Sequence, residues 1–420
     1  MEPFVFSPAD ILLPHALDLA TWPVIACDQY TSQPDYWERV ERIVGDHMST
    51  LRLILPEYCL GKADVEERVA AINRAMADYL PRMDCLQNAL IYVERTLSDG
   101  AVRRGLVGRV DLEQYDYTVG AASLIRATEG TVLSRIPPRA AVRRNAPLEL
   151  PHVMLLVDDP ERTVIEPLTA QKSALRPLYD GPLMANGGAV AGWLLNDGAA
   201  AGVETALRRL ADPARFGGKP PLLLAVGDGN HSLATAKACY EEQKKQTPPE
   251  AWASLPARWA LVEVVNLHDD SLHFEPIHRL PTGVDPAAVL DALRQYAPGG
   301  TGTEDHTVTY LTAGETGTVT IPHPTAHLPV GTLQEFLDRW LAEHGGQIDY
   351  IHGADAARDL VRGPDAIAFL LPAMDKADLF PAILSDGVLP RKTFSMGEAD
   401  DKRFYLEARR IRSKPAALGF

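Results

Sequence analysis

The chain is short of cysteine, of long apolar runs and of positive charge, and each shortage narrows what it can be. Its 420 residues hold four cysteines, Cys27, Cys59, Cys85 and Cys239. They are scattered with no C-x-x-C pair, which argues against a disulfide framework and a zinc knuckle and makes reduced thiols the expectation. No segment has the apolar length of a membrane span. No internal repeat, low-complexity tract or long linker interrupts the chain, so closely packed subdomains are expected. Lys and Arg number 41 against 56 Asp and Glu, a formal net charge of -15. That balance disfavours non-specific binding to nucleic acid, whose phosphates need a basic surface. The first residues, MEPFVFSPADILLP, lack a basic stretch followed by an uninterrupted apolar one, so no secretory signal is read and a cytoplasmic location is expected. Hydrophobic residues at 46% and charged ones at 23% suit a globular protein long enough for two or three domains.

What is present centres on Leu222 to Glu242, LLLAVGDGNHSLATAKACYEE. An apolar run ending at Val226 predicts a buried strand. Gly227, Asp228, Gly229 and Asn230 are turn formers, and Leu233, Ala236, Lys237 and Tyr240 then recur at helical spacing. The first amides of a helix have no intrahelical partner and carry the positive end of its dipole, so this turn predicts an anion site. Gly227 and Gly229 leave no Cβ in the way of a phosphate, His231 and Ser232 stand at the helix mouth, and Lys237 lies a turn further on. The competing reading has Asn230 or Ser232 capping the helix and His231 packed beneath the loop. The full G-D-G-N-H-S run between strand and helix favours the anion site.

The segment GDGNHSLATAK resembles the D-G-H-H-R signature of the family called domain of unknown function 1015, in the variant with Asn230 at the first His and Ser232 at the Arg. ACDQYTSQPDYW (Ala26 to Trp37), RATEGT (Arg126 to Thr131), APLELPH (Ala146 to His152), FEPIHR (Phe274 to Arg279), FLLPAMDK (Phe369 to Lys376) and LPRKTFSMGEA (Leu389 to Ala399) carry the likeness through most of the chain. That family brings no agreed activity with it. More distantly, the strand, G-x-H-[RS], helix arrangement is similar to the phosphate-binding motif of the ParB, sulfiredoxin and free serine kinase group. The resemblance implies a phosphate cradle at His231 and the backbone from Gly229 to Ser232. Ser232 departs from the usual Arg, so another cation supplies the charge or the site is lost.

Taken in order, Thr21 to Cys27 reads as a strand, Asp35 to Val44 as an amphipathic helix, and Asp28, Gln29 and Tyr30 lie between them, where an open α/β sheet binds its ligands. LRLILPEYCL also looks strand-like, Asp64 to Leu80 is a helix, and Ala89 to Leu97 with Val102 to Asp111 predicts an antiparallel hairpin around Asp99 and Gly100. Arg126, Arg135, Arg139, Arg143 and Arg144 concentrate positive charge around Glu129, with Pro137 and Pro138 barring a continuous helix. His152 to Asp158 reads as a strand, and Ala260 to Leu267 with Leu272 to Leu280 as adjacent strands. His268, His273 and His278 tempt a metal reading that strand alternation disfavours, and His278 with Arg279 suits a polar pair lining the ligand site. Lys392 lies in a basic segment near the C-terminus and is a further phosphate candidate.

The expectation is therefore an α/β (or α+β) protein with a mixed sheet and flanking helices. Residues 1–300 form a main body that carries the motif, and residues 301–420 a smaller subdomain packed on it. The reading is of a nucleotide-dependent small-molecule kinase, with a serine-like hydroxyl compound as acceptor. Phosphate would be bound by Gly227 to Ser232 with Arg126, Arg139 and Lys392, and substrate by Gln29, Tyr30, His278 and Arg279. Glu129 or Asp28 would act as base, with His231 assisting. ATP or ADP is the expected cofactor, and Mg²⁺ is expected at Asp228, which would repel a bare phosphate. The alternatives are a metal-assisted phosphoester hydrolase using Asp228, His231 and Asp28, and a nucleotide or metabolite sensor without turnover. No nucleic-acid or membrane partner is expected, and the oligomeric state stays open.

Overall fold

In the computed structural model, which describes residues 4–300 and 304–412, the apolar runs resolve into two main sheets. The larger has ten strands. Across it lie Arg176–Pro182, Ala189–Leu194, Ile91–Thr96, Val102–Asp111, Trp259–Asn266, Met154–Val157, Leu224–Asp228, Ile125–Ala127 and Tyr115–Asp116, with Phe6–Ser7 also paired to Val102–Asp111. Pairing is mixed: Met154–Val157 runs parallel to Trp259–Asn266 and antiparallel to Leu224–Asp228, which is parallel to Ile125–Ala127. Strands at the centre are apolar at nearly every position because both faces are covered, the pattern of a buried sheet. The 91–96 and 102–111 hairpin forms as expected.

The second sheet has six strands, Thr316–Ile321, His306–Leu311, Ala368–Leu370, Phe274–Thr282 and Gln347–His352 in order, with Phe394–Met396 on Phe274–Thr282. It begins at Phe274, inside the 1–300 body read from sequence. The strands Trp259–Asn266 and Phe274–Thr282, expected to be neighbours, lie in different sheets. Between them Asp269 accepts from the Ser271 amide and hydroxyl, fixing a turn that carries the chain from one sheet to the other. Met154, Leu156 and Ala225 of the large sheet share an apolar cluster with Phe274, Phe369, Phe394 and Met396, so the two sheets are packed together.

Helices follow local chemistry. Pro34 opens Pro34–Val44, and Pro137 and Pro138 fall at the start of Ile136–Arg144, where a missing N–H costs nothing. LRLILP, expected as a strand, instead begins with a 3₁₀ turn over Thr50–Leu53, because Ser49 accepts from the Leu51 amide. Only Val24–Ile25 of the 21–27 run is a strand, paired with Phe404–Tyr405. The chain therefore returns at its C-terminal end to the first body, with Arg409–Arg410 on Leu148–Glu149 and Ala408 bridged to Leu12.

Arg403 anchors this return. Its buried guanidinium donates to Glu263 Oε2 and Glu407 Oε2, each at 2.7 Å, and to the carbonyls of Pro151 and Phe404. Replacing Arg403 with Met leaves two carboxylates buried without their cation. We expect a loss of about 3–5 kcal/mol, read as a lower urea midpoint. Adding Glu263→Gln and Glu407→Gln should recover part of it.

Candidate functional site

Sheet topology brings distant segments to one edge. Because Ile125–Ala127 runs parallel to Leu224–Asp228 and Met154–Val157 runs against it, the residues just after Ala127, just before Met154 and just after Asp228 all meet there. Gly229 makes the turn at φ 81°, and a Cβ on it would lie 3.1 Å from Val153 Cα and 3.5 Å from His152. At Gly227 a Cβ would meet Leu156 at 2.8 Å. The helix Asn230–Lys244 starts at once and has no side-chain cap, so its first-turn amides are left to whatever occupies the space in front of them.

That space is a cavity of about 1060 Å³. Asp28, Gln29, Glu129, Arg139, Gly227 to Ser232 and Lys392 all line it, and so do His152, Arg135, Arg391, Lys402 and Tyr405. Leu53, Leu55, Leu60 and Met76 add apolar lining. Asp28, Glu129 and His231, each about a hundred positions from the next, thus line one cavity.

The charges have specific partners. Asp228 Oδ1 accepts from the Gly229 amide at 2.8 Å, and Oδ2 faces Lys402 Nζ at 3.6 Å. Burial opposes the charge on Asp28, but His152, the Gln29 amide and Lys402 outweigh it and hold the carboxyl below its usual range. Burial pushes Glu129 up, only partly offset by the backbone of Lys392 and Thr393 and by Arg279. His231 is lowered to about 4, first by burial and then by Arg135 and Arg139. Its Nε2 accepts from the Val132 amide at 3.3 Å, so the neutral ring carries its hydrogen on Nδ1. His231 therefore presents no positive charge to a phosphate at neutral pH.

Several expected residues lie elsewhere. Arg126 does not line the cavity; it is 4% exposed and donates to the carbonyls of Ser123, Pro220 and Pro221. Tyr30 stacks on Tyr36 with its hydroxyl on Asp400. His278 accepts from the Leu371 amide, and Lys237 points to Leu112 O. Arg279 is fully buried and does not line the cavity, yet it donates to Lys392 O at 2.8 Å and to Arg391 O at 3.3 Å. It holds the loop on which Lys392 adopts φ 55°, a conformation uncommon for a side-chain residue. Arg139 lines the cavity but is paired with Glu57.

The surroundings of Asp228 bear on the metal expectation. Among the described residues no three of His, Cys, Asp and Glu are grouped to hold an ion, and Asp228, invoked to require Mg²⁺, already faces Lys402. Of the Asp228, His231 and Asp28 hydrolase set, all three line the cavity, and His231 Nε2 is engaged by the Val132 amide.

Sequence reasoning missed Lys402, His152 and Tyr405. His152 Nδ1 lies 2.7 Å from the Tyr405 hydroxyl and its Nε2 is 3.7 Å from Asp28 Oδ2. His152 enters the sequence reading only as the end of APLELPH and the start of a strand, which begins instead at Met154. Lys402 and Tyr405 carried no local signal, since the segment containing them forms only two-residue strands.

A family model described as a protein of unknown function (DUF1015) matches residues 10–340. The chain belongs to that family. Lys392, Lys402 and Tyr405 lie beyond the matched span. No curated protein matches the chain. Solved structures with similarity include a free serine kinase variant in complex with ADP, at 11% identity and TM-score 0.37 over 72% of this chain and 91% of that one. A conserved hypothetical protein from Pyrococcus furiosus has 10% identity and TM-score 0.34 over 72% and 94%. SbnI with a C-terminal truncation from Staphylococcus aureus has 9% and 0.34 over 69% and 82%.

The His231 imidazole should titrate near 4 by NMR, and Arg135→Gln should raise that midpoint. With a folded value below the unfolded 6.5, His231 contributes stability that is complete above 6.5 and is lost as pH falls toward 4. His231→Phe should flatten that part of a stability-against-pH curve.

Proposed function

We propose that the cleft binds a nucleotide phosphate and transfers a phosphoryl group to a small hydroxyl compound. One observation carries this reading: the uncapped N-terminus of Asn230–Lys244 opens into a large cavity beside Lys392 and Lys402, in a chain of net charge -15. Backbone amides at a helix mouth suit an anion, and the exposed Lys392 ammonium at the same cavity adds charge that Ser232 does not. The volume exceeds what a phosphate and a small alcohol need and suits a nucleotide, whose base the apolar lining can receive.

Within this reading the amides of Gly229 to Ser232 hold phosphate and Lys392 offsets charge in the transition state, while Lys402 balances Asp228. Phosphate binding was read from sequence for Arg126 and Arg139 as well. Phosphoryl transfer asks mainly for placement and electrostatic stabilisation, and a carboxylate takes the acceptor proton. Asp28 and Glu129 both line the cavity and are the two candidates. Mg²⁺ entering with ATP or ADP would be held chiefly by the nucleotide's own phosphates.

A thermal-shift screen of ATP, ADP and GTP with and without Mg²⁺ tests the reading. A ligand that binds only the folded state raises Tm with concentration. Lys392→Ala should weaken the effective nucleotide by roughly tenfold, as loss of a charge-assisted contact predicts. Mass spectrometry of serine and other small hydroxyl compounds incubated with the hit should find a phosphorylated acceptor. Free phosphate alone would indicate hydrolysis, binding without product a sensor, and no shift with any nucleotide would remove the kinase reading.

A further inference from the structure

A directed chain of hydrogen-bonding groups ends at Asp28, and the sequence does not announce it. The Cys27 amide donates to the Tyr405 hydroxyl oxygen at 3.2 Å. The Tyr405 hydroxyl, which also neighbours the Cys27 thiol, lies 2.7 Å from His152 Nδ1 and can donate its hydrogen there. A proton accepted at Nδ1 leaves the hydrogen of the neutral imidazole on Nε2, and Nε2 faces Asp28 Oδ2 at 3.7 Å. That last distance is ion-pair range, longer than a hydrogen bond, and such contacts tighten when ligand is bound. His152 and Tyr405 are buried, whereas the Asp28 side chain is 29% exposed and lines the cavity. His152 also lies against Gly229, beneath the helix mouth.

Glu129, the other carboxylate, is differently engaged. Its backbone bridges to Leu389, and its Oε1 faces the Thr393 amide at 3.4 Å. Arg279 holds the same loop from below. Glu129 thus clasps the segment that carries Lys392.

Building on the phosphotransfer reading, we propose that Asp28 is the catalytic base of this cleft, that His152 and Tyr405 are positioning residues behind it, and that Glu129 serves to hold the Lys392 loop. As the acceptor oxygen bonds to the incoming phosphorus, the bond from phosphorus to the nucleotide's leaving oxygen breaks and the acceptor proton passes to Asp28. His152 Nε2–H orients the carboxylate and keeps it ionised beforehand. A preorganised carboxylate within reach of the hydroxyl is what this step requires, more than a strongly basic one.

The groups that set the charge on Asp28 come from every segment around it. They are His152 before its strand, Lys402 and Tyr405 from the C-terminal return, His231 from the helix, and Cys27 beside it. Arg139 is neutralised by Glu57. Carboxyl ¹³C NMR on the nucleotide-free protein isolates the contribution of His152 and Tyr405. The Asp28 titration midpoint should rise in His152→Gln and, by less, in Tyr405→Phe, while Glu129→Gln leaves it in place. Tyr405→Phe removes one oxygen and His152→Asn provides a second histidine variant should Gln fail to fold. An unchanged midpoint in the folded variants overturns the relay.

Turnover gives the second arm. Asp28→Asn should abolish phosphorylated product while keeping the nucleotide-dependent rise in Tm, and His152→Gln should lower kcat with little change in nucleotide KM. Glu129→Gln, which loosens the Lys392 loop, should weaken nucleotide binding more than it lowers kcat. Loss of product in Glu129→Gln but not in Asp28→Asn overturns the assignment. If the unaltered protein makes no phosphorylated product from any nucleotide, the phosphotransfer reading falls and the base assignment falls with it. The titration midpoint then still decides whether His152 and Tyr405 hold Asp28.

Discussion

Arg403 sits where the C-terminal segment crosses back over the first sheet, and its guanidinium is buried between Glu263 and Glu407. A buried ion pair of this kind adds little net stability over apolar residues of the same shape, but it tolerates one arrangement of its partners. Here the Glu263 contact ties the return segment to the large sheet beside its two-residue pairing with Val24–Ile25. Lys402 and Tyr405, on either side of Arg403, are thereby delivered to the cleft, one toward Asp228 and the other beneath His152. Arg95 and Arg103 reinforce it by donating to the carbonyls of Asp400 and Asp401. Much of the cleft's chemistry thus depends on a contact outside it.

Inside the cleft, charge is balanced in pairs. Arg139 faces Glu57, Arg143 faces Glu149, and Lys402 faces Asp228. In a partly desolvated space an unpaired charge is costly, so acids and bases at such a site are either matched or exposed. Arg135, Arg391 and Lys392 are the exposed cations on the wall, with Arg391 hydrogen-bonded to Tyr350. An incoming anion therefore meets a wall whose interior charges are already satisfied and whose free ones project from its rim. His231, neutral through burial and neighbouring guanidinium groups, belongs to the wall and not to the charge that attracts.

Local sequence was sufficient wherever the chemistry is local. The strand, glycine turn and helix around Gly229 follow in that order from an apolar run, two residues without Cβ and helical spacing, although the strand runs on through Gly227 and Asp228 and the helix starts at Asn230, so that Gly229 alone makes the turn. The 91–111 hairpin and the helix over Pro34–Val44 were equally legible, and so was the mixed α/β class. Arg126 and Arg279 misled because an arginine in a polar motif looks the same whether it meets a ligand or buries its donors on backbone carbonyls. Here both do the latter, Arg126 on Ser123, Pro220 and Pro221, and Arg279 on Ile277, Arg391 and Lys392.

The turn at Gly229 and its uncapped helix are properties of neighbouring residues, so the chain's order alone settles them. Which groups face that turn is a different matter. His152 reaches it only because its strand runs against Leu224–Asp228, and Glu129 only because its own runs alongside. Lys402 and Tyr405 arrive through a two-residue pairing with Val24–Ile25, too short to leave a periodic trace. Strand direction and register are set by contacts far apart in sequence, and for that reason only the tertiary structure decided that Asp28, His152, Glu129 and Lys402 share one cleft while Arg126, Tyr30 and His278 do not.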